Sequence, residues 1–193
     1  MALILASKSP RRQQLLRQIG LSFTVRVTDA DETMDPAKPP QEEVARVSAV
    51  KAAAAAAASG PDDIVVAADT IVVVDGTVLG KPASAEDAVR MLRTLSGREH
   101  RVMTGLTVQK GSRVVTHTEI TEISFRALSD AEIRAYVATG DPLDKAGSYG
   151  VQGAAGSFVD RICGDYFNVM GLPICTLTLI LRRFGVEVLG EKG

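Results

Sequence analysis

The chain has 193 residues, 46% of them hydrophobic, with 22 Lys plus Arg against 23 Asp plus Glu for a formal net charge of −1. That is globular rather than disordered composition, long enough to bury a core without disulfide or metal staples. Balanced charge, 4% aromatics and no Trp argue against polymeric nucleic acid as a partner, because phosphate-neutralising faces show a basic excess and single-strand binding needs stacking platforms.

Apolar Ala2 to Ala6 reads as a buried strand. It is too short for a signal peptide or a membrane span, so a cytoplasmic protein with no membrane partner is expected. Ser7-Lys-Ser-Pro10 then turns the chain into a helix with Pro near its first position, and Arg12, Leu15, Leu16 and Ile19 share one stripe up to Gly20. A strand over Phe23 to Val27 leads to a polar loop with Pro36, Pro39 and Pro40, then a helix from about Gln41 to Ser59 containing seven consecutive alanines, Ala52 to Ala58. Ile64 to Ala68 and Ile71 to Val74 are apolar, and Asp75-Gly76 before Thr77 to Leu79 signals a hairpin turn. Ser84 caps a helix ended by Gly97, and Arg101 to Lys110 pairs with Arg113 to Phe125 through Gly111-Ser112. Ser129 and Glu132 form a capping box for a helix ending near Gly140. A glycine-rich stretch, Gly147 to Gly171, precedes a last helix near Pro173 with Leu177, Ile180, Leu181 and Phe184 on its core face. Cys163 and Cys175 lack a CxxC spacing or a His at ligand distance and read as small buried hydrophobes. Strands interleaved with helices predict a three-layer α/β fold around a mixed sheet, a single domain with two lobes around a cleft.

Four charged residues stand where the pattern calls for apolar ones. Arg12 lies on the apolar stripe of its helix and leans back over the strand-to-helix turn. With Ser7, Ser9 and the helix N-terminus it composes an anion site, unless it only covers the helix end in solvent. Lys51 follows Val44 and Val47 on an inward stripe and either snorkels out or meets an anion. Asp69 interrupts IVVAADTIVVV, so it needs a cation, a metal or a strand end opening into a cleft, or else lies in a tight turn. Lys81, in Leu79-Gly-Lys-Pro82, places a point charge beside a glycine that admits close backbone approach. Glu32, in the acidic loop from Asp29, supplies a second carboxylate or is merely solvated. Together these residues describe a phosphate site with a divalent ion. There is no Walker A motif, GxGxxG or HExxH.

Six ordered segments, SKSPRR (Ser7–Arg12), AADT (Ala67–Thr70), LGKP (Leu79–Pro82), SGREH (Ser96–His100), DKAGSYGVQG (Asp144–Gly153) and GDYFNVMGLP (Gly164–Pro173), resemble the motifs of the Maf family of nucleotide pyrophosphatases. The resemblance implies an elongated mixed sheet flanked by helices with a central cleft, related to the inosine triphosphate pyrophosphatases. It implies hydrolysis of a nucleoside triphosphate to monophosphate and pyrophosphate with a divalent cation, Mg²⁺ or Mn²⁺, and it suggests a homodimer. By motif, Asp69 matches the catalytic acidic residue, assigned as proton acceptor, and Arg12, Glu32, Lys51 and Lys81 match the family's polar cleft residues; Glu32 and Asp69 are the expected metal ligands, and Arg12, Lys51, Lys81, Ser7 and Ser9 the expected substrate-binding residues. Arg11, Thr70 and Gln152 match the branch acting on dTTP and UTP. Arg11 lies about 100° round the helix from Arg12 and is able to face the base while Arg12 faces phosphates, and Gln152 both donates and accepts. The expected function is removal of dTTP, UTP or modified pyrimidine triphosphates from the nucleotide pool. Rival readings are the same chemistry on 7-methyl-GTP or another purine nucleotide, and, from a different class, a nucleotide-binding regulator of septum formation.

Overall fold

The computed structural model describes residues 1–189. Its strands are β1 (Leu3–Leu5), β2 (Thr24–Val25), β3 (Ile64–Val74), β4 (Thr77–Leu79), β5 (Glu99–Lys110), β6 (Arg113–Phe125) and β7 (Val159–Cys163). The helices are α1 (Pro10–Gln18), α2 (Pro40–Ala57), α3 (Ala85–Leu95), α4 (Asp130–Ala138), α5 (Tyr166–Val169) and α6 (Ile174–Arg183). The strands form one mixed sheet in the order β2-β1-β3-β5-β6-β7, with β4 paired to β3. This is the predicted α/β class. The β1–β2 and β1–β3 pairs are parallel, whereas β3–β4 and β6–β7 are antiparallel.

The chain divides into two compact units, one comprising Met1–Asp69, Thr104–Glu119 and the segment from Gly171, the other Thr70–Met103 and Ile120–Met170. In the first unit, Ile4 and Ala6 of the β1 segment and Val65 and Ala67 of β3 pack on Ala52 and Ala55 of α2. Alanine suits this face because it gives up little side-chain entropy in a helix and lets the helix backbone approach the sheet. The approach continues at Gly105 of β5, where an added Cβ would lie 2.2 Å from the Val44 carbonyl oxygen. Ser48 of α2 shares a 2.8 Å hydrogen bond with Thr107, and Thr107 shares one of 3.0 Å with Thr116, so the buried hydroxyls of Ser48 and Thr107 are satisfied.

The apolar core of the second unit draws on α3, α4 and the ends of β3, β5 and β6. Ser84 caps α3, and the predicted capping box of Ser129 and Glu132 opens α4. Asp75 and Gly76 both have positive φ, 48° and 76°, the geometry of a two-residue hairpin turn. His100 is buried at 2% exposure and shares a 2.8 Å hydrogen bond with the Tyr149 hydroxyl, with its ring edge-on to Phe125 and Tyr149. Burial lowers the His100 pKa to about 4, so the ring is neutral near pH 7.

Four expectations change. The strand over Phe23 to Val27 shortens to Thr24–Val25. Asp69 lies in neither a turn nor a strand end, because β3 runs unbroken from Ile64 to Val74. The glycine-rich stretch from Gly147 to Gly171, given no elements from sequence, contains 3-10 turns, β7 and α5. Cys163 and Cys175 are exposed and free, not buried. In β7 Val159 and Ile162 are partly covered and the other three positions, Cys163 among them, are exposed, and Cys175 lies off the α6 stripe formed by Ile174, Leu177, Ile180 and Leu181. Among the described residues no helix is long and apolar enough to cross a membrane.

Candidate active site

The turn from β1 into α1 places its hydroxyls by local hydrogen bonding. The Ser7 hydroxyl oxygen, in a buried residue, accepts from the Ser9 backbone N–H at 3.2 Å, and the Ser9 side chain caps α1 by accepting from the Arg12 N–H. Arg12 then reaches back toward the helix start, as helical side chains lean. Its Nη1 donates to Ser7 Oγ at 3.2 Å and its Nε to the Gly171 carbonyl at 2.7 Å. Burial lowers the Arg12 pKa, with Arg11 adding to the shift and Asp69 and Glu32 opposing it; a guanidinium stays charged regardless. The predicted grouping of Ser7, Ser9 and Arg12 is therefore present. Arg12 is half-buried and held by backbone, not merely covering the helix end in solvent.

Asp69 arrives by strand periodicity. Val65 and Ala67 face α2, and side chains two apart on a strand share a face, so Asp69 faces α2 as well. Lys51 stands on α2 one turn before Ala55, and its Nζ donates to Asp69 Oδ1 at 2.7 Å. The same nitrogen pairs with Glu32 Oε2 at 2.9 Å. Lys51 and Asp69 side chains are 13% and 15% exposed, whereas that of Glu32 is 62% exposed. Of the two fates open to Lys51, snorkelling and meeting an anion, the second holds. Glu32 is not merely solvated, since it meets the ammonium.

The first unit therefore brings together Ser7, Ser9 and Arg12 at one helix start, and Glu32, Lys51 and Asp69 around one nitrogen. The coupling of Arg12 to Asp69 and Glu32 joins the two groups electrically. Arg11 is the half-buried neighbour of Arg12 on α1. Thr70, Lys81 and Gln152 belong to the second unit. Thr70 follows Asp69 on β3 with the opposite pleat, Lys81 is exposed after β4, and Gln152 is exposed in the loop before β7. That loop is fixed at Gly147, whose N–H bonds to the Gly80 carbonyl at 3.0 Å and whose φ of 67° and packing on Val72 exclude a side chain.

Among the described residues no three of His, Cys, Asp and Glu cluster at metal-ligand distance. The protein supplies two carboxylates converging on one point. That donor set fits Mg²⁺ or Mn²⁺ arriving with a polyphosphate, since such ions take one or two carboxylates and fill the rest of their shell with phosphate oxygens and water. Two participants escaped sequence reading: Glu43, which accepts from the Asp35 N–H and so touches the loop that carries Glu32, and the Gly171 carbonyl. Glu43, Val47 and Lys51 recur at i, i+4 and i+8, so a carboxylate on an inward stripe was the available signal for the first; a carbonyl carries none.

The Maf-like protein family model matches residues 2–184. This chain belongs to the Maf family. A Maf relative from Anaeromyxobacter dehalogenans (strain 2CP-C), named dTTP/UTP pyrophosphatase, is 49% identical over 98% of this chain and 97% of its own. One of the same name from Moorella thermoacetica is 49% identical over 98% of each chain, and one from Desulforamulus reducens 48% identical over 96% of this chain and 98% of its own. Among solved structures, the Staphylococcus aureus Ham1 protein superposes with a TM-score of 0.55 at 16% identity, covering 94% of this chain and 98% of that one. At that identity the likeness shows that the Maf chain shares its α/β fold.

Proposed function

We propose that this Maf protein is a divalent-metal-dependent pyrophosphatase that hydrolyses dTTP, UTP and modified pyrimidine triphosphates to the nucleoside monophosphate and pyrophosphate. The observation that carries the reading is the convergence of Glu32 and Asp69 on the Lys51 ammonium, electrically coupled to Arg12. Near-full-length relatives of that name support the substrate class.

In this reading Ser7, Ser9, Arg12, Lys51 and Lys81 bind the triphosphate, Arg12 as a planar donor and the lysines as point charges. Asp69, oriented by Lys51, takes the proton of the attacking water. The water oxygen forms the new P–O bond, the α–β anhydride bond breaks, and its electron pair leaves on the departing phosphate oxygen. Glu32 and Asp69 would hold the divalent cation, which would supply charge neutralisation of the triphosphate. Arg11, Thr70 and Gln152 read the pyrimidine.

The test is a panel of dTTP, UTP, CTP, GTP and 7-methyl-GTP with Mg²⁺ or Mn²⁺, scored for pyrophosphate and monophosphate, with an EDTA control. Preferred turnover of dTTP and UTP, abolished by EDTA, is expected. Preference for the purines, release of orthophosphate, or full turnover in EDTA would each refute it.

A further inference from the structure

Glu32 sits in a loop with no regular structure between β2 and α2, and its largely exposed side chain makes an ion pair that contributes little by itself. The fixing force comes from further along the chain. Glu43 of α2 has a side chain only 3% exposed, and a buried carboxylate persists only where it is paired and hydrogen-bonded. Arg46, one turn on, donates from Nε and Nη2 to its oxygens at 2.9–3.1 Å. Both partners then reach the loop: Glu43 Oε2 accepts from the Asp35 N–H at 2.8 Å, and Arg46 Nη2 donates to the Thr33 carbonyl at 2.5 Å.

We infer that Glu43 and Arg46 are positioning residues that fasten the Thr33–Asp35 backbone to α2 and so deliver Glu32 to Lys51 and Asp69. The inference rests on the proposed role of Glu32 as a metal ligand. The geometry is economical because the anchor and the ammonium are on one helix: Glu43 and Lys51 stand eight residues apart on one stripe, a separation of about 12 Å set by helix rise alone. Within the loop, Asp31 Oδ1 accepts from the Thr33 N–H and Asp35 Oδ1 from the Ala37 N–H, each at 2.9 Å, so the clamp acts on a preformed turn.

The experiment titrates Mn²⁺ alone into the full chain and into Arg46→Ala, Arg46→Lys, Glu43→Gln and Glu32→Gln, reading free Mn²⁺ by electron paramagnetic resonance. Amide hydrogen exchange over residues 31–37 and thermal melting accompany it. Arg46→Ala should weaken Mn²⁺ binding about tenfold, the scale for residues that orient a ligand, with the fold retained by circular dichroism, the melting temperature lowered because Glu43 loses its partner, and exchange at Asp35 accelerated. Arg46→Lys should recover part of the affinity, and saturating Mn²⁺ should restore kcat in Arg46→Ala, which a general loss of structure would not allow. If Glu43→Gln does not fold, Arg46→Lys, which keeps a cation beside Glu43, still decides the matter. Weaker Mn²⁺ binding in Glu32→Gln but not in Arg46→Ala overturns the clamp and leaves the role of Glu32 standing. Unchanged Mn²⁺ binding in Glu32→Gln overturns both.

Discussion

Replacing Gly105 by alanine should push α2 away from the sheet. The added methyl would lie 2.2 Å from the Val44 carbonyl oxygen, 2.6 Å from its carbon and 2.9 Å from Ala45 Cα. All three are helix backbone atoms, which have no rotamer to change. An ordinary contact of about 3.4 Å requires the helix to retreat by about 1 Å, and overpacking of this kind costs about 1–3 kcal/mol. Here the upper end applies, since the buried side chains of α2, Val44, Val47, Ser48, Ala52 and Ala55, all lose contact together. The loss of unfolded-chain entropy on going from Gly to Ala offsets up to about 1 kcal/mol, leaving a net destabilisation of about 2 kcal/mol in urea denaturation. Lys51 rides on the same helix, and a shift of about 1 Å from a distant substitution is able to cost up to about a hundredfold in rate, so kcat on dTTP should fall as well. Gly80→Ala, where an added Cβ meets nothing within 4 Å, is the stability control. A Gly105→Ala protein within about 0.5 kcal/mol of wild type, the ordinary range for surface changes, would show that α2 does not lie on β5 at that distance.

Asp69→Asn should lower kcat by at least about a hundredfold with circular dichroism unchanged; near-normal kcat would reduce Asp69 to a structural partner of Lys51. Gln152→Ala should change the ratios of kcat/KM among dTTP, UTP, CTP and GTP, whereas Lys81→Ala should lower all four by a similar factor, since every substrate shares the triphosphate. Ratios untouched in the first variant, or altered in the second as much as the mean, would refute that division. His100 binds its proton more weakly folded, at about 4, than unfolded at 6.5. The unfolded state is therefore the better proton acceptor between those values, and stability should fall by about 3 kcal/mol as pH drops from 6.5 to 4. Glu43, held down to about 2 by Arg46 and the Asp35 N–H, loses its contribution only below the ordinary carboxylate range of 4.5. His100→Gln should flatten the upper window in urea titrations, and an unchanged slope there would exclude His100 as its cause.

Local rules made most of the framework legible. Pro10 and Ser9 announced α1, Ser84 and the Ser129–Glu132 pair announced α3 and α4, and Asp75-Gly76 announced the β3–β4 hairpin, because caps and turns are set by neighbours in sequence. Asp69 and Lys51 were visible as charges on apolar faces. What remained hidden depends on distant chain. A polar residue inside β3 resembles a turn until Lys51 is known to face it. Glu43 has the local signature of any acidic residue in a helix's first turn, and only the distant Asp35 amide, with Arg46, marks it as an anchor. The short elements after Gly147 escaped for another reason: their glycines and 3-10 turns carry no period to detect.

The boundary between the two units falls inside β3, β5 and β6 and again at Met170–Gly171, so the chain passes between them four times. Neither unit is a continuous stretch that truncation could isolate. The candidate site illustrates the consequence for folding: Arg12 Nε bonds to a carbonyl 159 positions later. Closing so long a loop is slow compared with local pairing. The guanidinium is therefore held by a long-range contact as well as by its own turn, and the anion site takes its final form only once the segments around Arg12 and Gly171 have come together.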